Sequence, residues 1–101
     1  MSIDTDLRLS AQRALWGHVP ASLRAVSVTH DDHHMRVRSI FDERVSDHDQ
    51  ELLSMVGTQI LADFAAPYTM GEEFLIVRPP AAMDHLAHLV YLRYEPESHD
   101  Y

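Results

Sequence analysis

The sequence predicts an α+β fold, a two-layer sandwich in which two helices cover one face of a four-stranded, mainly antiparallel sheet. One long segment, Ser46–Phe64, repeats apolar residues at helical spacing. Four shorter segments are predicted strands: two alternate in polarity, and two are rich in branched and aromatic residues. The length of 101 residues suits one hydrophobic core. We therefore expect a single domain over residues 1–101, ordered α-β-β-α-β-β, with a flexible tail beginning near Glu95.

The first element is a helix that we expect to run from about Thr5 to Trp16. Its apolar residues fall on one face at helical spacing: Leu7, Ala11, Ala14 and Leu15. Asp4 or Thr5 is the expected N-cap, because a short polar side chain can accept from the first free N–H groups. Gly17 and Pro20 then predict the end of the helix.

Two strands follow, over Leu23–Thr29 and Met35–Phe41, where side chains of different polarity alternate. The polar stretch His30–His34 lies between them. Aspartate is frequent in tight turns because its side chain can bond its own backbone. The two segments are therefore predicted to form a hairpin whose turn is centred on the two aspartates.

The second helix, Ser46–Phe64, is the element against which we expect the sheet to pack. Its apolar stripe comprises Leu52, Leu53, Val56, Ile60, Leu61 and Phe64. Ser46 is the predicted N-cap, accepting from the N–H of Asp49, while the Asp49 carboxylate reaches back. Gly57 interrupts the helix, which predicts close packing against a neighbouring element. Pro67 marks the exit.

The last two strands are predicted over Glu72–Arg78 and Leu86–Tyr94, and both carry apolar residues on both faces. Either they are central strands, or something covers the second face of the sheet. The linker Pro79–His85 is predicted to form a loose crossover or a short helical turn. If the second face is open, it displays Arg36 and Arg38 beside apolar residues and becomes a candidate interface.

Charge favours a basic protein partner over nucleic acid. The formal net charge is −8, from 16 carboxylates and eight arginines. Such a surface repels phosphate and attracts basic proteins, although an acidic surface can also serve solubility alone. The chain has no cysteine, which excludes disulfides and thiolate metal sites and fits a cytoplasmic location. The acidic start MSIDTDLRLS and the lack of a long apolar run predict neither a signal peptide nor a membrane span.

No motif predicts catalysis, so we expect a protein that is not an enzyme, with no catalytic residue and no cofactor. The chain has no Gly-x-Ser-x-Gly elbow and no phosphate-binding glycine loop. Asp42 and Asp63 are the only carboxylates placed for partial burial, a position more typical of helix capping or arginine pairing. His30, His33 and His34 are weak metal candidates, because neighbouring side chains of a strand point to opposite faces.

Five segments together resemble a group of small bacterial immunity proteins, some encoded beside polymorphic or contact-dependent growth-inhibition toxins. These are ALWGHVPASLRAVSV (14–28), IFDE (40–43), ILADF (60–64), EEF (72–74) and VYLRYE (90–95). The cluster at 30–34 departs from the simple charged turn of that group. The resemblance implies a non-enzymatic inhibitor that binds a cognate toxin domain, expected to be a basic nuclease, and occludes its active site.

Seven carboxylates are the predicted contacts to such a toxin. Asp42, Glu43, Asp47, Asp49 and Glu51 follow one another through the end of a strand and the first turns of the long helix. Glu72 and Glu73 are expected to extend this patch, if their strand starts near the same end of the sheet. Two alternatives stay open: a homo-oligomeric accessory protein that dimerises through the open sheet face, and a histidine-cluster metal-binding domain.

Overall fold

The computed structural model describes residues 2–96. Its elements are α1 (Ile3–Leu15), β1 (Leu23–Asp31), β2 (His34–Phe41), α2 (Asp47–Ala62), β3 (Thr69–Ile76) and β4 (His88–Leu92). The four strands form one sheet in the order β3-β2-β1-β4. β1 is antiparallel to β2 and to β4, whereas β2 and β3 are parallel. The predicted α+β class, element order and mainly antiparallel sheet are confirmed, with one parallel pair that makes the sheet mixed.

The two helices start at serine caps. Ser2 accepts from the Thr5 N–H at 3.2 Å, so α1 begins earlier than predicted, and the expected caps at Asp4 and Thr5 are wrong. Ser46 accepts from the Asp49 N–H at 3.1 Å, which confirms the predicted cap of α2. A serine oxygen at this position satisfies a backbone donor that the helix itself leaves free.

The reciprocal half of the predicted capping box is absent from α2. The Asp49 carboxylate accepts from the Ser22 hydroxyl at 2.7 Å instead of reaching back to Ser46. Ser22 is buried just before β1, so this bond joins the start of α2 to the start of the first strand.

Both helices pack on the same face of the sheet. Leu7 and Ala11 of α1 and Val56 of α2 belong to one buried cluster with Val28 and Val37 of the central strands. Val28 and Val37 are directly paired, so their side chains share a face. The apolar stripes predicted from helical spacing therefore form the core.

The opposite face of the sheet is covered, which is one of the two alternatives that the sequence left open, because the linker from β3 to β4 crosses it. β3 and β4 lie at opposite edges, so the connecting chain must pass over β2 and β1. Met83 of this linker is buried against Ala25 and Ile40. The Leu86 N–H donates to the Ser27 hydroxyl at 2.9 Å, and Arg38 donates to the carbonyl of Asp84 at 2.8 Å. The predicted loose crossover is the form observed.

α2 connects the two parallel strands and packs on β3. The Ser54 hydroxyl donates to the Glu72 carboxylate at 2.8 Å. A Cβ atom added to Gly57 would lie 3.0 Å from Glu72 Oε1, which confirms the close packing predicted for this glycine. β3 begins with Thr69 beside His34, at the start of β2. α2 and β3 therefore run in opposite directions. β3 starts at the end of the sheet remote from Asp42, and Glu72 and Glu73 lie in the middle of the strand, opposite Val37 and Arg38.

The boundaries of the last two strands differ from the prediction. β3 pairs with β2 along its whole length and therefore starts at Thr69 instead of Glu72. β4 spans only His88–Leu92, beside a shift in register between Val26 and Ser27 of β1. The irregular pairing shortens β4 and leaves it as a short edge strand.

Candidate functional site

Asp42 is the most enclosed of the seven predicted contact residues. It is only 4% exposed. Its carboxylate accepts from the Arg44 side chain at 2.8 and 3.0 Å, from the Arg44 N–H at 2.8 Å and from Arg93 at 2.8 Å. Burial acts to raise the pKa of Asp42, but the hydrogen bonds from Arg44 and Arg93 outweigh burial and lower the pKa to about 2. Asp42 is thus placed to hold the fold.

The same network continues into the interior through Glu95 and Arg24. Arg93 donates to Glu95 at 2.8 Å, and Arg24 donates to both Glu95 oxygens at 2.7 and 2.8 Å. Arg24 is fully buried and also donates to the carbonyls of Val77 and Ala81. The hydrogen bond from Arg24 lowers the pKa of Glu95, although burial acts in the opposite direction. The guanidinium therefore ties β1 to both flanks of the crossover.

Glu95 is where the flexible tail was expected to begin, yet this residue is only 8% exposed. Its carboxylate is held by two arginines, so the chain stays ordered through this position. Residues 97–101, which make up most of the predicted tail, lie outside the described residues.

Three further predicted contacts already have partners in the chain. Glu43 pairs with Arg78 at 3.0 Å, and both side chains are exposed. Asp49 accepts from Ser22 as described above. Glu73 pairs with Arg36 at 3.3 Å and with Arg38 at 3.2 Å, on the face of the sheet that the linker crosses. These carboxylates are partly neutralised or engaged before any partner arrives.

The remaining three carboxylates, Asp47, Glu51 and Glu72, are exposed. Within residues 2–96 none of the three has an arginine or histidine partner. Asp47, Glu51 and Ser54 follow one another at four- and three-residue spacing, so they lie along one side of α2. Ser54 bonds Glu72, which shows that this side borders β3. We call Asp47, Glu51 and Glu72 the acidic seam.

An exposed apolar side chain lies at one end of the acidic seam. Ile76 is 61% exposed and is paired with Phe41, at the end of β3. Ile76 and Glu72 are four residues apart in the strand, so their side chains lie on the same face of the sheet, the face that α2 covers. Because α2 runs in the direction opposite to β3, Ile76 is level with the first turns of α2. The seam therefore combines exposed carboxylates with one apolar anchor.

A family model described as MafI2 immunity protein matches residues 4–95. The chain belongs to the MafI2 immunity protein family. This membership confirms the predicted resemblance to small bacterial immunity proteins, and it implies that the chain binds a cognate toxin protein. A search of curated proteins found no match.

The three histidines predicted as weak metal candidates have different partners. His30 Nε2 lies 2.9 Å from Asp4 Oδ1, His34 Nδ1 lies 2.7 Å from Thr69 Oγ1, and His33 packs edge-on against the Tyr68 ring. Among the described residues, no three or more histidine, aspartate or glutamate side chains are arranged to hold a metal.

A histidine–carboxylate contact that the sequence did not predict joins three elements. His30 of β1 and His88 of β4 both direct Nε2 at Asp4 Oδ1 of α1, at 2.9 and 3.2 Å. Burial acts to raise the pKa of Asp4, whereas the hydrogen bonds from His30 and His88 lower it, and the net shift is downward. Sequence spacing could not reveal this contact, because the pairing of β1 with β4 brings the two histidines together and the packing of α1 on these strands adds Asp4.

A pocket of about 390 Å³ opens where the buried network reaches the surface. It is lined by Ala21, Arg44, Pro79, Pro80, Arg93, Tyr94, Glu95 and Pro96. Both guanidiniums in its wall already bond carboxylates. The pocket therefore offers an apolar recess rich in proline, which suits the binding of an apolar group.

Within the described residues, neither helix is long and apolar enough to cross a membrane.

Proposed function

We propose that this MafI2 immunity protein neutralises its cognate toxin without catalysis, by binding a basic surface of the toxin through the acidic seam. The observation that carries the proposal is the contrast among the predicted carboxylates. Three of them pair with arginine, and the half-buried Asp49 accepts from a serine hydroxyl. Asp47, Glu51 and Glu72 are exposed and have no cationic partner in residues 2–96, and Glu72 accepts from the Ser54 hydroxyl. Exposed charges without partners are the ones that steer a partner of opposite charge.

The seam and Ile76 together also have the composition of a hot spot in a protein interface. Ile76 supplies an apolar side chain that a partner can bury, and the carboxylates around it can pair with lysine or arginine. The net charge of −8 extends the attraction beyond direct contact, which raises the rate of association at low salt.

The proposed target is a toxin domain that acts on nucleic acid. A nuclease holds phosphate with lysine and arginine side chains. Those cations are the natural partners of the seam carboxylates, so binding there covers the surface on which nucleic acid would lie. Inhibition by occlusion then needs no chemistry from the immunity protein.

Growth rescue tests the proposal. Cells that produce the cognate toxin domain are expected to grow when they also produce the wild-type chain, but not the Asp47→Arg/Glu51→Arg variant. The matched control is Asp31→Arg/Asp84→Arg, which changes the net charge equally at exposed positions outside the seam. Rescue by the seam variant at wild-type level would contradict the proposed surface, and failure of the wild-type chain would contradict the proposed function.

A further inference from the structure

β3 is a long, regular edge strand that carries two charged residues, Glu72 and Glu73. It lies at the end of the sheet order, and within residues 2–96 no strand pairs with its outer side. Its eight residues pair with β2 without a shift in register and contain no proline. The other edge, β4, has five residues and lies beside a register shift. Natural proteins usually shorten, bulge or cover an edge, because its free N–H and C=O groups can pair with another strand.

The free backbone groups of β3 belong to alternate residues. The Thr69 N–H donates to the backbone carbonyl of His33 at 2.9 Å, and the Val77 N–H donates to the backbone carbonyl of Phe41 at 2.9 Å. Successive residues of a strand direct these groups to opposite sides. The backbone N–H and C=O groups of the odd-numbered residues from Thr69 to Val77 therefore face β2. Those of Met70, Glu72, Phe74 and Ile76 face outward.

A second copy of the chain is poorly suited to this edge. If two β3 strands paired antiparallel through their outward groups over most of their length, either Glu72 would lie opposite Glu72 of the other copy, or Glu73 opposite Glu73. Like charges directly opposite each other destabilise a strand pair. A strand that carries lysine or arginine would gain from the same position, so charge complementarity selects a basic partner.

The two faces of the sheet differ in charge along this edge. This difference determines where the basic residues of the added strand should lie. On the α2 side, an added strand would meet the acidic seam of Asp47, Glu51 and Glu72. On the other side it would meet Glu73, which two arginines already neutralise. Side chains of a strand alternate between faces. The fitting strand therefore carries basic residues at every second position, on the α2 side only.

We infer that the cognate toxin adds an extended basic strand to the outer edge of β3, so that backbone hydrogen bonds to Met70, Glu72, Phe74 and Ile76 hold it beneath α2. This inference rests on the proposed function and names the part of the toxin that the seam recognises. Main-chain pairing supplies affinity in such strand addition, and the alternate side chains supply specificity.

Residue-resolved amide hydrogen exchange on the full chain tests the inference. The probe is the toxic domain of the cognate toxin, inactivated by substitution. On binding, the amides of Met70, Glu72, Phe74 and Ile76 are expected to exchange at least tenfold more slowly, whereas those of Gly71, Glu73 and Leu75 are expected to change little because they are already bonded to β2.

The possible outcomes separate the two proposals. A complex that forms while the four outward amides stay unprotected overturns strand addition and leaves the proposed function in place. The lack of any complex overturns both.

A backbone variant gives a second, independent measurement. Ile76→Pro removes one outward N–H and retains a small apolar side chain, whereas the matched control Ile76→Ala keeps the N–H. We expect Ile76→Pro to bind the toxin domain about tenfold more weakly than Ile76→Ala, because a pairing donor is lost and the ring obstructs the added strand. Equal affinities of the two folded variants would contradict the inference.

Discussion

Replacing Asp42 by asparagine is expected to cost stability, not toxin binding. The carboxylate is buried, and its two arginine partners lower its pKa from the usual value of 3.8 to about 2. Each pKa unit corresponds to about 1.36 kcal/mol of differential interaction, so the ionised carboxylate stabilises the folded state by about 2 kcal/mol at pH 7. Asp42→Asn removes this charge and leaves Arg44 and Arg93 without their shared partner.

The pH dependence of the loss follows from the direction of the pKa shift. Because the pKa is lowered in the folded state, the stabilisation is complete above the usual value of 3.8 and is lost as pH falls through about 2. At pH 3 about half of the difference between wild type and variant is expected to remain. Urea unfolding followed by circular dichroism at pH 7 and pH 3 measures both differences.

Two results would refute this reasoning about Asp42. One is a loss below about 0.5 kcal/mol at pH 7, which is within the range of ordinary surface substitutions. The other is a loss of the same size at pH 3 as at pH 7. At 25 °C the folded variant should bind the toxin domain within about twofold of wild type, since the buried carboxylate offers the partner little surface.

Two other perturbations test the same account. Glu95→Ala should lower the free energy of unfolding by about 3–5 kcal/mol in urea denaturation, because it leaves the fully buried Arg24 without its carboxylate. The exposed pair of Glu43 with Arg78 is the control: Glu43→Ala should cost less than about 1 kcal/mol, and equal losses would contradict the assigned burial. Raising the salt concentration from about 0.05 to 0.5 M should weaken toxin binding in calorimetric titration, because salt screens exposed charges; an unchanged affinity would argue against an electrostatic interface.

Local patterns in the sequence were sufficient to predict the elements. α2 is defined by its apolar stripe from Leu53 to Ile60 and by its cap at Ser46. Both features can be recognised from residues that are only three or four positions apart in the sequence. The hairpin of β1 and β2 is also local. Gly57 could be interpreted correctly, since a glycine within a helix usually marks a close approach.

The direction of β3 could not be predicted in the same way, and the composition of the candidate site depended on it. Because β3 is parallel to β2, it starts at the end of the sheet opposite Asp42, so that Glu72 lies mid-strand and meets Ser54 in the middle of α2. The five carboxylates close in sequence were divided as well, because Asp42, Glu43 and Asp49 bond other side chains whereas Asp47 and Glu51 have no cationic partner among the described residues. The burial of Asp42 also depends on Arg93, which is remote in the chain. Two signs of a buried charge network were available in the sequence: Arg24 between the apolar Leu23 and Ala25, and Asp42 directly after Phe41.

The affinity of the toxin domain for matched charge variants tests the central claim most directly. Calorimetric titration would compare the wild-type chain with Asp47→Arg/Glu51→Arg and with the control Asp31→Arg/Asp84→Arg, after circular dichroism has shown that all three are folded. If the acidic seam is the binding surface, the seam variant binds at least about 100-fold more weakly, a loss of about 2.7 kcal/mol, while the control stays within about fivefold of wild type. Equal affinities for the seam variant and the control would contradict the account.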